Sequence, residues 1–440
     1  MGPTSWYSPD TMAGRVKSSI DRADERVTIT FDGAKISAIR GEPVVAALVA
    51  AGKIALARSP KFHRPRGPAC LRAACDGCLA RVDECPNVMT CMVAAREGLA
   101  VKTQNTLGSR EMDVLRMTDW FFPEGLNHHE LFAGVPGVQA LMQSFARRVA
   151  GLGRLPHEVV MPRPAARREA DVVVIGAGPA GMAAATKIAS QGRRVDVIDD
   201  ALEPGGGVRA LGQGAKAWAA ITDDFRSAMS SGAIAYRAST TAGAFYGDDL
   251  LVVGPQGAEV LGARAFVLAP GAHDGVLAFE GNDVPGVMSA RAAGWLLARG
   301  VLVGARVVVV VAEGGGPFGE DYARSVGETG ACQVTLVRGE PVRVGGSLRA
   351  KSVVVREDGV ERTLKADAVL IDAPRAPAYE LCEQAGATLR HEPRGFFAET
   401  TDGKIAGKDN VWALGEVVGT AFDPASISAA AEAIATRLGA

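Results

Sequence analysis

Five of the chain's seven cysteines stand between Cys70 and Cys91, in CLRAACDGCLARVDECPNVMTC. Four of them are spaced Cys70-x4-Cys75-x2-Cys78-x12-Cys91, and Cys85 is the fifth. Thiols at this density can form disulfides, hold zinc or ligate an iron–sulfur cluster. Structural zinc takes two separated C-x2-C pairs, and only Cys75/Cys78 has that spacing here. C-x4-C-x2-C with a later fourth cysteine is the plant-type [2Fe–2S] pattern. One loop can then present three thiolates and aim backbone N–H groups at sulfur, while the fourth ligand arrives from outside it. Disulfides are the weakest of the three, because the chain reads as the product of a reducing, cytoplasmic compartment. Its start, MGPTSWYSPDTMAGRVKSS, lacks the apolar core of a signal peptide, and its longest apolar run, VLVGARVVVVVA, reads as a strand and not a membrane span. Cys332 and Cys382 stand alone in apolar surroundings and read as small buried residues.

A second chemistry-bearing stretch is ADVVVIGAGPAGMAAATKIASQGRRVDVIDD. A four-residue apolar strand runs into Gly176-x-Gly178-x-x-Gly181, and Pro179 and Ala180 open an Ala-rich helix. A second strand follows, ending at Asp199. Gly176 permits the tight turn, Gly178 lets the backbone approach a pyrophosphate, and Gly181 lets helix pack on strand. The pyrophosphate would meet free N–H groups at the helix N-terminus, and Asp199 would accept from a ribose. GARVVVVVAEGGGPFGEDYARSVGETGACQVTLVRG repeats the pattern with Gly314, Gly316 and Gly319, but Arg338 stands where the acid would be. An Arg there could pair with a 2′-phosphate, which favours NADP over NAD. The competing reading is a domain that keeps the fold and does not use nicotinamide, and the sequence leans to it.

The elements around these motifs follow from composition and periodicity. With 440 residues, 48% apolar, 5% aromatic and 53 glycines, the chain suits two or three domains of α/β type with many tight strand-to-helix turns. RVTITFDGAKISAIRG reads as a hairpin about Asp32-Gly33, EPVVAALVAAGK as a short apolar helix, and LARVDECPN as another strand and turn that contains Cys85. Residues 109–167 read as a helical connector closed by the linker MPRPAARRE; its His128-His129 pair diverges on a helix and has no accompanying carboxylates. A formal net charge of −1 gives no case for nucleic acid or an anionic membrane surface. The C-x-x-C of a flavin disulfide reductase is excluded, since the only such pair lies in the cysteine loop. No P-loop, nucleophile elbow or zincin helix is present, and no acid or base for an amine substrate declares itself; His273 reads as a structural loop histidine.

From about Arg26 to Asn105, KFHRPRGPACLRAACDGCLARVDECPNVMTC and EGLAVKTQN resemble the small [2Fe–2S] domain of sarcosine oxidase-like and hydrogen cyanide synthase-like flavoenzymes. Electron-transfer subunits of opine oxidases share it. The resemblance continues over about Asp171 to Ala440. EPGGGVR carries Gly206, Gly207 and Arg209, and FVLAPGAHDG carries Gly271. In NVWALGEVVG, Gly415 and Glu416 stand where the family binds the flavin ribityl chain. The resemblance implies an α/β chain: an N-terminal α+β ferredoxin-like (β-grasp) domain over 1–108 and a two-dinucleotide-binding-domain, Rossmann-like flavoprotein core. The core divides into a FAD domain over 168–290 and 375–440 and an inserted NAD(P)-type unit over 291–374. It further implies cluster ligation by Cys70, Cys75, Cys78 and Cys91, and FAD in the first Rossmann unit. A further flavin, FMN, between subunits and an amino-acid oxidase-like flavoprotein partner also follow. NAD(P) and the electron acceptor stay open. Four departures stand out. Ala73 and Cys85 replace glycines, Pro270 replaces the usual Thr, and Glu416 replaces Asp. If position 73 takes a positive φ, its methyl costs roughly 1 kcal/mol. No C-terminal cysteine-rich or folate-binding extension is expected. The expected role is that of an electron-transfer subunit in a heteromeric amine or amino/imino-acid dehydrogenase or oxidase. The alternatives are a self-sufficient NAD(P)H-dependent reductase and a nucleotide-binding scaffold.

Overall fold

The computed structural model describes residues 14–16, 25–60, 62–104, 106–121, 137–138, 141, 161 and 164–439. The His128-His129 pair and most of the expected connector lie outside them. The chain divides into two compact units: Met1–Val159 with Leu277–Val311 and Val326–Ile371, and Val160–Val276 with Ala312–Ser325 and Asp372–Ala440.

In the first unit, β1 (Arg26–Phe31) and β2 (Ala34–Ile39) pair antiparallel across Asp32-Gly33. Both turn residues have positive φ, 49° and 82°, as a two-residue hairpin requires. Val27, Ile29 and Phe31 alternate inward from β1. Helix α1 (Val44–Ala50) is buried from Val44 through Val49, so its all-apolar sequence is that of an element covered on every side. The sheet is completed by β3 (Leu79–Val82), β4 (Cys85–Met89) and β5 (Ala100–Lys102), in the order β2-β1-β5-β3-β4. Cys85 is the first residue of β4 and not a turn residue. The turn is Asp83-Glu84, whose φ values of 44° and 67° close β3 onto β4 in two residues.

In the second unit, β6 (Ala166–Ile175) runs for ten residues where an apolar run of four was expected. Its partner β11 (Gly257–Leu268) pairs with it from Glu259↔Ala166 to Leu268↔Ile175, and ladder bonds extend the strand beyond its apolar stretch. Helix α2 (Pro179–Ser190) and β7 (Val195–Ile198) follow, then β8 (Ile234–Arg237), β9 (Thr241–Tyr246) and β10 (Asp249–Gly254). The order is β8-β7-β6-β11-β10-β9. β7, β6 and β11 are parallel, and β9 and β10 form an antiparallel arm.

A four-stranded sheet uses β12 (Val287–Ser289), β13 (Arg306–Val311), β14 (Gln333–Arg338) and β15 (Ala368–Asp372) in the order β12-β15-β13-β14. Helix α3 (Phe318–Thr329) lies between β13 and β14 in the chain. The run VLVGARVVVVVA is two strands and not one: Val301–Leu302 pairs with Gly14–Arg15, and β13 begins at Arg306. The break comes at Gly304, where a Cβ would lie 3.0 Å from that of Asp367, while Asp367 holds Arg306 at 2.7 Å. Finally β16 (Val411–Ala413) returns to pair parallel with β11, and helix α4 (Pro424–Gly439) closes the second unit. Among the described residues no helix is long and apolar enough to cross a membrane.

Candidate cofactor sites

The cysteine loop is held inside the first unit by backbone contacts. The Arg66 carbonyl accepts from Leu56 N, Ser289 N donates to Ala69 O at 2.9 Å, and the Arg66 side chain pairs with Asp283. Leu71 and Ala73 both take left-handed φ, 54° and 57°, so position 73 does carry the conformation for which glycine is the natural choice. The winding turns the amides of Arg72 and Ala74 toward the Cys70 sulfur, that of Gly77 toward Cys75 and that of Ala73 toward Cys91. Gly77 is compulsory: a Cβ there would lie 1.8 Å from the carbonyl oxygen of Gly67.

The four thiols gather as two pairs. The sulfurs of Cys70 and Cys75 are 3.4 Å apart, and Cys78 and Cys91 hydrogen-bond to each other. Cys78 and Cys91 are buried and the other two half-buried. Within the first pair, the hydrogen bond from Cys70 pulls the Cys75 thiol down to about 6 and pushes that of Cys70 up. Cys91 is pushed up and Cys78 pulled down in the same way. Among the described residues no three His, Cys, Asp or Glu side chains converge on a position for one metal ion. Two thiol pairs, with amides aimed at sulfur, fit a cluster with two irons and two thiolates on each. Cys85 is exposed, with its sulfur toward Pro86 O. Of the two isolated cysteines, Cys382 is fully buried, its thiol pushed up to about 12, and Cys332 only half-buried.

In the second unit Ile198, Ile175, Leu268 and Ala413 form one row across β7, β6, β11 and β16. All four strands are parallel, so the residues that follow them share one edge. Asp199 follows β7, the glycine turn follows β6, and Gly415-Glu416 follow β16. Three strand spacings separate the ends of that row, about 14 Å. A dinucleotide laid along the edge would meet Asp199 at one end, the start of α2 in the middle and Glu416 at the other.

The local packing supports that placement. Gly176 has φ 98°, and a Cβ on it would lie 2.3 Å from Ala269 O. At Gly181 it would lie 1.8 Å from Gly176 O. Gly178, the N-cap of α2, has φ −71°, no capping side chain and open space where its Cβ would point. The α2 N-terminus thus keeps its unpaired amides uncovered by side chains, as an anion site needs. The Asp199 carboxylate accepts from Ala177 N and from Ala201 N at 2.8 Å, which ties its strand end to the glycine turn. A Cβ on Gly206 would reach Gly178 Cα at 2.8 Å, and one on Gly415 would reach Ala180 Cβ at 2.8 Å, so both segments close on the start of α2. Arg209 pairs with Glu203 and braces its own turn, while a Cβ on Gly207 would touch Phe422 and Phe318. Gly271 has φ 74° and its carbonyl accepts from Ala378 N at 3.0 Å.

The second glycine turn differs at the decisive atoms. Asp372, the last residue of β15, places its two carboxylate oxygens on Gly316 N at 3.1 Å and Gly319 N at 2.6 Å. It is 4% exposed, and burial lifts its carboxyl to about 6 despite those two donors. The amides that a nucleotide phosphate would use at α3 are engaged by the chain's own carboxylate. Gly314 has the expected positive φ, 69°, and Arg338 is exposed at the end of β14. Next to the turn, Arg375 is buried and holds Glu416 through Nε at 2.8 Å and Nη2 at 2.6 Å. Asp372 and Arg375 escape sequence reading because their partners lie about 40 to 60 positions away and DAPRAP carries no motif.

Residues 24–106 match the 2Fe-2S iron–sulfur cluster binding domain model, and residues 170–345 match the pyridine nucleotide–disulphide oxidoreductase model. The alpha subunit of sarcosine oxidase from Rhizobium meliloti (strain 1021) is 28% identical over 94% of this chain and 46% of its own length. That from Corynebacterium sp. (strain P-1) is 30% identical over 78% of the chain and 34% of its own length. An opine oxidase subunit from Agrobacterium tumefaciens (strain Ach5) is 27% identical over 57% of the chain and 62% of its own length. The chain thus spans half or less of the length of the first of these relatives. Among solved structures, L-proline dehydrogenase from P. horikoshii superposes with a TM-score of 0.69 over 97% of this chain and 76% of that one, at 20% identity, a likeness of fold. The matched domains are those of an FAD-dependent oxidoreductase with a 2Fe-2S domain.

Proposed function

We propose that this chain, whose sequence and domains match the alpha-type iron–sulfur/flavin subunits of sarcosine and opine oxidases, is the electron-transfer subunit of a heteromeric dehydrogenase or oxidase. Its substrates are amines or amino/imino acids. When bound, a flavin takes two electrons and a [2Fe–2S] cluster passes them on singly. Cys70 with Cys75 and Cys78 with Cys91 would hold the cluster. The bare end of α2, with Asp199 and Glu416 on either side, would hold FAD. Substrate would be oxidised on a flavoprotein partner of the amino-acid oxidase kind.

One observation separates this reading from a self-sufficient NAD(P)H reductase: the Asp372 carboxylate sits on Gly316 N and Gly319 N. A second dinucleotide would have to displace a buried carboxylate to reach those amides. The test is anaerobic mixing of the purified, cofactor-loaded chain with NADPH and, separately, with candidate amino acids. Neither should bleach the flavin until the flavoprotein partner is added. Rapid bleaching by NADPH alone would make the reductase the correct reading.

A further inference from the structure

The two glycine turns share a local sequence, Gly178-Pro179-Ala180-Gly181 and Gly316-Pro317-Phe318-Gly319, so Gly316 stands to α3 as Gly178 stands to α2. A Cβ built on each glycine shows what lies in front of its helix. On Gly178 it would meet nothing within 4 Å, which is the space an anion needs. On Gly316 it would meet Arg375 Nη1 at 2.3 Å and Asp372 Oδ1 at 3.4 Å. The position that stays open at the first site is filled at the second by a cation and an anion of the chain itself.

Both side chains are committed to that position. The Asp372 carboxylate accepts from Gly316 N and Gly319 N, the paired amides with which a helix start holds an anion. Arg375 is 8% exposed and cannot shed its proton. Its Nε and Nη2 donate to Glu416 Oε1, while Nη1 is buried against Gly316 with no hydrogen-bond partner among the described residues. The guanidinium lies 4.9 and 5.0 Å from the ring centroids of Phe318 and Phe422, which leaves it little freedom to swing away. A carboxylate on two helix-start amides, with an unanswered cationic donor beside it, is an anion site whose occupant is built into the chain. We propose that Asp372 and Arg375 close the second dinucleotide site: the carboxylate stands in for a nucleotide phosphate on α3, and Arg375 seals the space in front of it. Refusal of nicotinamide is then set by two side chains and not by a degraded fold, since Gly314 keeps its positive φ and α3 its twelve residues.

This inference rests on the reading that the second unit does not use NAD(P)H, and the experiment tells the two apart. Wild type, Asp372→Ala and Asp372→Asn, each full-length and loaded with FAD, are unfolded by heat near neutral pH. Sodium formate, sodium phosphate and sodium chloride are compared at equal ionic strength. Asp372→Ala vacates the volume of the carboxylate, and Gly314 and Pro317 are exposed on the same turn, so a small anion can enter. Formate, the group deleted, should stabilise Asp372→Ala over chloride and leave wild type unmoved. At about ten times its dissociation constant it should raise the folded-to-unfolded ratio about tenfold. Phosphate should act in the same way. Asp372→Asn keeps the volume filled and should respond to neither anion. If Asp372→Ala does not fold in chloride, recovery in formate supports the closed site, and failure in both salts overturns it. An equal response of all three proteins, or no response of a folded Asp372→Ala, would overturn the closed site and leave the electron-transfer reading intact. Fast bleaching of the wild-type flavin by NADPH would overturn both.

Discussion

Gly178→Val separates the fold of the first dinucleotide site from its cofactor. Gly178 has φ −71° and ψ 178°, values that valine adopts freely, and its Cβ would point into open space. The folded chain should lose only the difference between a glycine and a valine N-cap, about 1 kcal/mol. The same open space is where the uncovered amides of α2 face. A branched side chain there blocks an anion from those donors, each worth about 1.5–3 kcal/mol when the acceptor is charged. Loss of two such bonds amounts to about 3 kcal/mol or more, at least ~100-fold in the FAD dissociation constant. The assay is flavin fluorescence quenching on the apoprotein, with thermal unfolding run in parallel. Gly181→Val is the contrasting variant: its Cβ would lie 1.8 Å from Gly176 O, so it should fail to fold. Retention of FAD by a folded Gly178→Val, or collapse of Gly178→Val to the same degree as Gly181→Val, would refute the assignment of this helix end.

Ala73 has φ 57°, so Ala73→Gly should stabilise the cysteine loop by roughly 1 kcal/mol with the visible spectrum unchanged; chemical unfolding of the holoprotein measures it. Cys91→Ser should abolish the cluster spectrum, whereas Cys85→Ser, at an exposed position on β4, should leave about two iron per chain. The reverse result would exchange their roles. Burial raises the Asp372 carboxyl to about 6, so the folded chain binds that proton more tightly than the unfolded one. The associated stability is therefore full below about pH 4 and is lost as pH rises through about 6, up to ~3 kcal/mol in all. Asp372→Asn should flatten that part of the stability–pH profile, and an unchanged slope would show that Asp372 is not buried in solution.

Local chemistry was legible in the residues alone. The cysteine spacing, the hairpin at Asp32-Gly33 and the strand–glycine–helix signature at Gly176 to Gly181 each depend on neighbours within one loop or turn. Their geometry follows from φ preferences and close approach, which sequence order carries directly. Position 73, where the resemblance put glycine, takes a positive φ through the winding of its own loop. Chain order also conveyed the two glycine motifs, but not that their helix ends differ. That difference depends on Asp372, which β15 brings beside a turn more than 50 positions earlier. The ten-residue length of β6, the break at Gly304 and the Arg375–Glu416 pair likewise come from partners distant in sequence. Residue types state which bonds are available. Only the packed chain decides which donor finds which acceptor, because burial makes an unpaired polar group costly and the nearest partner is then set by topology.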